Sequence, residues 1–294
     1  MTMPVMEPDL DAAVLRTWAR KIDEGPFSSL CWGERIAFDN PDSLTLLGAM
    51  TAWTERVRLV TTVIVPQLHD PVMLAKALAT GDVLCSGRLT VGVGVGGRHE
   101  DYRSVGADPK TQTMRQMADR VGVMQRVWAG ERQTDSVLPV GPAPVQDGGP
   151  PLLVGTTGPK TLRSAAAWAD GLAGISLDLD VGKQRELFDV ATTAWSEAGK
   201  KPPHLATSFW FALGDPEPAR AQIHQHLRRY MNWIPADFVD AIAPTTGWSG
   251  SEDELAAVLG EFAAIGTDEV HLIPTSSDTG QLDRVSEIVK DLQL

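Results

Sequence analysis

The regular alternation of short apolar segments with longer segments of helical period constrains the fold of this chain more than any other feature. Short runs rich in β-branched and aromatic residues predict buried strands, and the segments between them repeat apolar residues every three or four positions. We predict eight strands, at residues 3–6, 29–32, 57–65, 89–95, 151–155, 171–175, 204–213 and 269–274. Strands that alternate with helices in this way are typical of βαβ units on a parallel sheet.

Nine helices are predicted between and after these strands, at residues 9–23, 43–54, 71–84, 111–129, 159–169, 181–198, 216–230, 251–265 and 281–292. Eight successive βα units favour an α/β fold of the closed (β/α)8 TIM-barrel type, which needs ~250 residues plus insertions. An open doubly wound sheet is the alternative, but it seldom contains so many successive units. We therefore expect one barrel domain over residues 1–294, with an irregular insertion at 130–149 and a short extra helix within 232–250.

The charge balance narrows the range of partners. The chain has 26 Lys and Arg against 38 Asp and Glu, and its net charge of -12 repels phosphate backbones and anionic membranes. No apolar run reaches the ~20 residues that span a bilayer, and the first ten residues do not resemble an export signal. Cys31 and Cys85 lie in apolar segments, as reduced thiols do. We expect a cytoplasmic protein that binds neither nucleic acid nor membrane.

A cluster of small residues follows the predicted strand 151–155. Gly155, Thr156, Thr157 and Gly158 precede Pro159, which opens a helix. In a barrel the site is built at the carboxyl ends of the strands, and small residues there expose N–H groups beside a helix N-terminus that favours an anion. The cluster therefore predicts a phosphate cradle. An ordinary turn in which Thr157 caps the helix explains the same residues equally well.

Glycines alternate along the predicted strand 89–95. Gly92, Gly94 and Gly97 have the GxGxxG spacing, but a dinucleotide fingerprint needs a helix to begin at once, whereas a loop follows here. Glycine at alternate strand positions clears one face of the strand, so a flat ligand can approach the backbone. A steric requirement inside a narrow barrel is the alternative explanation.

Polar residues also occur at or near the ends of the second and third predicted strands. Glu34 and Arg35 could orient a polar cofactor edge or a substrate, although ion pairs with other residues explain them as well. The hydroxyls of Thr61 and Thr62 bond either neighbouring backbone or a polar ligand. His69 could act as a general acid or base, since histidine titrates near neutrality, and a structural role beside a helix start is the alternative.

Several familiar chemistries have no motif in this chain. The patterns HExxH, CxxC, GxSxG and GxxxxGK[ST] are all missing from the sequence. Zinc proteolysis, thiol redox chemistry, esterase chemistry and nucleotide hydrolysis are therefore not predicted. The six histidines are dispersed, so no metal site is expected.

Three segments resemble the luciferase-like flavin- and deazaflavin-dependent oxidoreductases. The long segment 41–108, from PDSLTLLGAM to GGRHEDYRSVGAD, follows that pattern almost without gaps. Residues 150–172, PPLLVGTTGPKTLRSAAAWADGL, are similar to the cofactor-phosphate segment, and 250–276, GSEDELAAVLGEFAAIGTDEVHLIPTS, to the C-terminal repeat. The resemblance covers most of the chain.

The resemblance implies a variant TIM barrel, commonly dimeric, that holds coenzyme F420 (a deazaflavin) or FMN at its C-terminal mouth. The family often has a non-proline cis peptide beside the cofactor ring, and Thr62–Val63 is the candidate bond here. By position, the implied cofactor contacts are Thr61, Thr62, Val63, Gly94, Gly96, Gly155, Thr156, Thr157 and Gly158.

The chain departs from the family at two positions of interest. Many relatives have an acidic residue followed by histidine where this sequence has Glu34 and Arg35, and an arginine cannot shuttle a proton at neutral pH. Some deazaflavin-dependent relatives have a glutamate in place of Gly97. The family's usual proton-transfer step is therefore in doubt for this chain.

The resulting hypothesis is hydride transfer between F420 and a small organic substrate, with Glu34, Arg35 and His69 as candidate catalytic residues. An FMN-dependent monooxygenase, which would need a flavin reductase as partner, is the alternative. A second alternative is a barrel that binds the cofactor without catalysing a reaction, since Arg35 stands where many relatives have histidine. A phosphate-handling isomerase or lyase lacks an evident catalytic lysine or carboxylate pair. We expect a homodimer.

Overall fold

The computed structural model describes residues 1–292 of the chain, and its strands are all parallel. The eight strands are β1 (Ser29–Trp32), β2 (Arg58–Ile64), β3 (Leu89–Val93), β4 (Leu152–Val154), β5 (Gly171–Ala173), β6 (His204–Leu213), β7 (Trp248–Gly250) and β8 (Glu269–Pro274). The helices are α1 (Ala12–Glu24), α2 (Ser43–Trp53), α3 (Pro71–Leu84), α4 (His99–Ser104), α5 (Met114–Trp128), α6 (Pro159–Ala165), α7 (Val181–Glu197), α8 (Pro216–Tyr230), α9 (Ala236–Ile242), α10 (Glu252–Ala264) and α11 (Thr279–Leu292).

The N-terminal residues join the two edges of the sheet. Strands β1 to β6 are adjacent in chain order, β8 pairs with β6, and β7 pairs only with the end of β6. The Thr2 N–H donates to the Leu272 carbonyl of β8 at 2.9 Å, and the Met3 N–H donates to the Cys31 carbonyl of β1 at 2.8 Å. These bonds connect β8 to β1, so the predicted (β/α)8 barrel is confirmed.

Three local predictions were wrong. The strand predicted at 3–6 does not form, because Pro4 has no N–H for a ladder and the chain turns there, with the Glu7 N–H bonded to the Pro4 carbonyl. The short strand β7 lies in a segment that was expected to fall outside the repeat. Helix α4 occupies residues expected to be a loop. The short helix predicted within 232–250 is confirmed as α9.

Capping residues explain where helix α3 begins. Asp70 accepts N–H bonds from Val72 and Met73 at the start of α3, and Pro71 occupies the first helical position. The 3-10 turn Pro66–Leu68 precedes this cap and brings His69 back toward the barrel mouth.

Apolar residues are buried on both faces of the strands. Alternate strand residues face the helices, where Trp18, Trp32 and Phe262 are completely buried. The other face lines a small barrel interior, in which Cys31 packs with Val60, Leu153 and Ala173. Each large buried side chain contributes about 1.5–3 kcal/mol, so the strands form a rigid support for the loops at the mouth. Within residues 1–292, no helix is both long and apolar enough to cross a bilayer.

Candidate functional site

The mouth of the barrel brings three of the predicted segments together around Val63. A Cβ atom added to Gly94 would lie 2.6 Å from Val63 Cγ2, and one added to Gly155 would lie 2.9 Å from Val63 Cγ1. A Cβ at Gly33 would lie 2.9 Å from the Thr62 carbonyl oxygen. The bond between Thr62 and Val63 is cis, as the resemblance implied.

These contacts explain the alternating glycines. Val63 fills the space that side chains at Gly94 and Gly155 would need, so the steric requirement is real at both positions. Gly96 has a backbone φ of +66°, in the left-handed region that favours glycine. The glycines therefore let the end of β2 approach β3 and β4 closely.

The two strand threonines have different environments. Thr61 is completely buried, and its hydroxyl donates to the Gly92 carbonyl of β3 at 3.0 Å. Of the two alternatives for this hydroxyl, a bond to neighbouring backbone and a bond to a polar ligand, the structure therefore shows the first. Thr62 follows at the mouth and is half-buried.

Glu34 and Arg35 point to opposite sides of the mouth. The Glu34 side chain is only 1% exposed, and its Oε2 accepts the Val65 N–H at 2.9 Å. Its Oε1 lies 2.8 Å from His69 Nε2. Because Glu34 already accepts a backbone N–H, the most favourable arrangement has His69 Nε2 as the donor. The structure therefore joins Glu34 and His69 in a buried acid–base pair beside the cis peptide.

His69 also connects this pair to the outside of the barrel. Its side chain is 16% exposed and lines a surface groove of about 550 Å³, together with Asp70, Asp119 and Arg120. Arg120 Nη1 donates to the His69 carbonyl at 2.6 Å and fixes its backbone. The buried Glu34 carboxylate is thus separated from the solvent of this groove by the His69 ring.

Arg35 extends toward the end of α8. Its Nη1 donates to the Tyr230 carbonyl at 2.9 Å, and its guanidinium carbon lies 3.8 Å from the centre of the Phe38 ring. Burial and the nearby Arg98 lower the pKa of Arg35 to about 10, so the side chain is still charged at neutral pH. Arg35 therefore supplies a fixed positive charge.

A second arginine reaches the same place from the β3 end. Arg98 Nε donates to Asp101 Oδ2 at 2.8 Å, and its guanidinium lies 4.5 Å from the Trp233 ring centre. Asp101 Oδ1 accepts the N–H groups of Ile36 and Ala37. Burial alone would raise the pKa of Asp101, but Arg98 and these N–H groups hold it below its usual value.

Sequence patterns did not single out most of this arginine and aromatic cluster as functional. Arg229 and Tyr230 lie at the end of α8, and Trp233 follows that helix. Arg98 carried a usable signal, since it follows the glycine-rich β3 end and barrel sites form there. The α8 residues carried none, because a helix end is not where barrel sites are expected.

The predicted phosphate cradle has an uncapped helix start. Gly158 occupies the cap position of α6 without a side-chain capping bond, so the interpretation that Thr157 caps this helix was wrong. Thr156 Oγ1 accepts the Gly158 N–H at 3.1 Å, and Thr157 is exposed. The exposed hydroxyl and the uncapped N–H groups of the first turn are suited to an anionic group.

A further group of titratable side chains lies deeper in the barrel. His271 Nε2 lies 3.1 Å from Glu269 Oε2, although the alignment is poor for a hydrogen bond. Burial lowers the pKa of His271, but Cys31 and Glu269 outweigh it and raise the pKa to about 9. The hydroxyls of Ser28 and Ser29 both donate to Glu269 Oε1 at 2.5 Å. His271 is buried, whereas Glu269 and Ser28 reach the surface at the N-terminal ends of the strands, away from the mouth, so we assign this group to the stability of the barrel.

Comparison with known proteins identifies the family. The sequence profile described as luciferase-like monooxygenase matches residues 4–271, which is most of the chain. The chain therefore belongs to the luciferase-like monooxygenase family.

Relatives with similar sequences include uncharacterised proteins and enzymes of named activity. An uncharacterised protein of Mycobacterium tuberculosis is 34% identical over 168 residues, covering 54% of this chain and 57% of the relative. The F420-dependent glucose-6-phosphate dehydrogenase of Beutenbergia cavernae is 31% identical over 211 residues, covering 66% of this chain and 58% of the relative. The chain thus matches little more than half the length of these relatives.

Solved structures share the whole fold. A monooxygenase from Streptomyces bottropensis superposes with a TM-score of 0.80 at 23% identity, covering 99% of this chain and 97% of the other. An F420-dependent secondary alcohol dehydrogenase, solved in complex with an F420-acetone adduct, superposes with a TM-score of 0.79 at 17% identity, covering 99% of this chain and 98% of the other. At these identities the likeness establishes the fold alone.

Proposed function

We propose that this protein is an oxidoreductase that uses F420 for hydride transfer to or from a small organic substrate. The observation that carries the proposal is that three features lie together at one barrel mouth in a member of this family. They are the uncapped start of α6, Val63 with glycines around it, and the Glu34–His69 pair. The choice of F420 over FMN is supported by the F420-dependent glucose-6-phosphate dehydrogenases among the relatives.

The residues present fit such a cofactor. Gly155, Thr156, Thr157 and Gly158 would hold its phosphate, since the first turn of α6 has no side-chain cap and the Thr157 hydroxyl is exposed. Thr62, Val63, Gly94 and Gly96 are the proposed contacts of the ring, and Thr61 supports them through β3. When bound, F420 supplies the hydride carrier, and the chain supplies orientation and electrostatics.

Glu34 and His69 are the proposed acid–base pair. Their 2.8 Å contact permits a proton to pass between Glu34 Oε1 and His69 Nε2, and the groove beside His69 permits exchange with solvent. Arg35 cannot replace the family histidine as a proton carrier, because it stays charged at neutral pH. In this chain we therefore assign proton transfer to Glu34 with His69, and substrate positioning to Arg35.

An FMN-dependent monooxygenase is the second candidate. It is supported by the family description and by the likeness to the Streptomyces monooxygenase. It would need a flavin reductase as partner, whereas an F420 enzyme would not. A barrel that binds cofactor without catalysis remains the third candidate, because Arg35 stands where many relatives have histidine. For each of these we propose a homodimer.

A charged variant of the cradle tests the proposal. Gly158→Asp would put a carboxylate beside the site for the cofactor phosphate, so F420 affinity should fall at least about tenfold. Gly260→Asp on the exposed face of α10, where an added Cβ meets no atom within 4 Å, is the charge-matched control and should bind as wild type does. Equal F420 affinity in both variants would remove the cradle from the proposal.

A further inference from the structure

We propose that Arg35, Arg98 and Arg229 form a binding site for an anionic group of the substrate, so that the substrate is an organic carboxylate or phosphate ester. The inference rests on the proposed function, because it specifies the substrate class of the same mouth. The group that this site would bind is a planar carboxylate or a tetrahedral phosphate, whose negative charge is shared by two or more oxygens.

The three guanidinium groups lie around shared aromatic rings. Arg35 and Arg229 lie 3.8 and 5.0 Å from the centre of the Phe38 ring. Arg35 and Arg98 lie 5.3 and 4.5 Å from the centre of the Trp233 ring. Like charges repel, so this convergence is unfavourable unless a negative charge offsets it. Cation–π contacts supply only part of that compensation.

Nearby carboxylates are already engaged. Asp101 pairs with Arg98 and accepts two N–H groups with its other oxygen. Glu34 is bonded to His69, and Glu7 Oε1 lies 2.5 Å from His226 Nδ1. Across residues 1–292, neither Arg35 nor Arg229 has a carboxylate within ion-pair distance.

Buried donors without partners point to the missing ligand. Arg35 is 4% exposed, and its Nε has no hydrogen-bond acceptor among the described residues. Both terminal nitrogens of Arg229 are also buried and lack an acceptor in that part of the chain. An unsatisfied buried donor is costly, and the cost is larger for a charged group. A carboxylate or phosphate would accept from these nitrogens, often through two parallel bonds.

The cluster adjoins the proposed reaction site. Arg35 is two residues beyond Gly33, whose added Cβ would touch the Thr62 carbonyl. Trp233 lies 3.8 Å from the Cβ position of Gly97, just beyond β3. The half-buried rings of Phe38, Tyr230 and Trp233 provide an apolar surface beside the charges. The site thus fits a substrate that has both an apolar body and an anionic end.

The test compares anionic and neutral probes that share a phenyl ring. Benzoate and phenyl phosphate are titrated against benzamide by isothermal calorimetry and tryptophan fluorescence, with and without saturating cofactor. We expect saturable binding of the anions and at least about tenfold weaker binding of benzamide. Equal affinity for benzamide would overturn the proposal. Loss of anion binding when the cofactor is saturating would assign the arginines to an anionic group of the cofactor and likewise overturn it.

Variants on one helix provide a matched control. Arg229→Gln should weaken benzoate binding at least about tenfold, and the adjacent Arg228→Gln, whose side chain is 46% exposed and pairs with Asp240, should not. If Arg229→Gln fails to fold, Gly97→Glu puts a competing carboxylate in the exposed loop beside Trp233 and should have the same effect. Undiminished benzoate binding in a folded Arg229→Gln or in Gly97→Glu would refute the site.

The outcomes separate this inference from the proposed function. Benzoate binding that depends on Arg229, in a protein that binds neither F420 nor FMN, would leave the anion site standing and refute the cofactor proposal. F420 binding without any binding of benzoate or phenyl phosphate would support the cofactor proposal and refute the anion site.

Discussion

Replacing Gly94 by alanine tests the steric explanation for the glycines at the barrel mouth. A Cβ atom at Gly94 would lie 2.6 Å from Val63 Cγ2, whereas ordinary contact begins near 3.4 Å. Val63 lies between Gly94 and Gly155, so a shift away from Gly94 moves its other methyl group toward the Gly155 backbone. Overpacking of this kind costs about 1–3 kcal/mol, and in a chain of this size each kcal/mol lowers the melting temperature by roughly 2 °C.

The assay is urea unfolding of Gly94→Ala, Val63→Ala and the double variant. Val63→Ala removes the clashing methyl groups, so the double variant should be more stable than the sum of the two single losses predicts, by about 1 kcal/mol or more. Gly48→Ala on α2, where an added Cβ meets no atom within 4 Å, is the control and should gain about 0.5–1 kcal/mol. A Gly94→Ala variant at least as stable as wild type, or losses that simply add in the double variant, would refute the steric explanation.

Two further predictions concern the ionisable groups of Asp23 and His271 and are measured by urea unfolding across pH. The Asp23 carboxylate accepts the N–H groups of residues 55–57, and these bonds outweigh the effect of burial and lower the pKa of Asp23. Asp23→Ala should therefore lower the free energy of unfolding by about 1–3 kcal/mol at pH 7. The loss should become progressively smaller as the pH falls below the usual aspartate pKa, because the wild-type carboxylate is then protonated. The pKa of His271 is raised to about 9, so its stabilisation is complete below its unfolded value and is lost as the pH rises through about 9. His271→Asn should therefore be less stable than wild type at pH 7 and show a flatter decline toward pH 10; an unchanged pH profile would contradict this assignment.

Much of the barrel could be predicted because its strands are buried on both faces. Residues 204–213 form a largely apolar run without polar alternation, and β6 has those bounds in the structure. The short β7 could not be recognised, since Trp248–Gly250 has only one large apolar residue and its pairing depends on the end of β6. The closing contact at the N-terminus could be located only approximately, because Pro4 ends the pairing after Met3.

The candidate site was predictable where it lies directly after a strand. Glu34, His69 and the cis bond after Thr62 were each named from local pattern or family resemblance, and the structure brings them together. The sequence could not show that Glu34 and Arg35 point apart, because their directions depend on partners from β2 and α8. It likewise could not assemble Arg35 with Arg229, which lie 194 positions apart in the sequence and both pack against the Phe38 ring.

The most direct test of the central claim is a titration of the purified protein with F420 and, separately, with FMN, followed by cofactor and tryptophan fluorescence. We predict saturable F420 binding at least about tenfold tighter than FMN binding, and loss of that affinity in Gly158→Asp. Tighter binding of FMN would contradict the choice of cofactor and favour the monooxygenase. Binding of neither would contradict the oxidoreductase proposal itself.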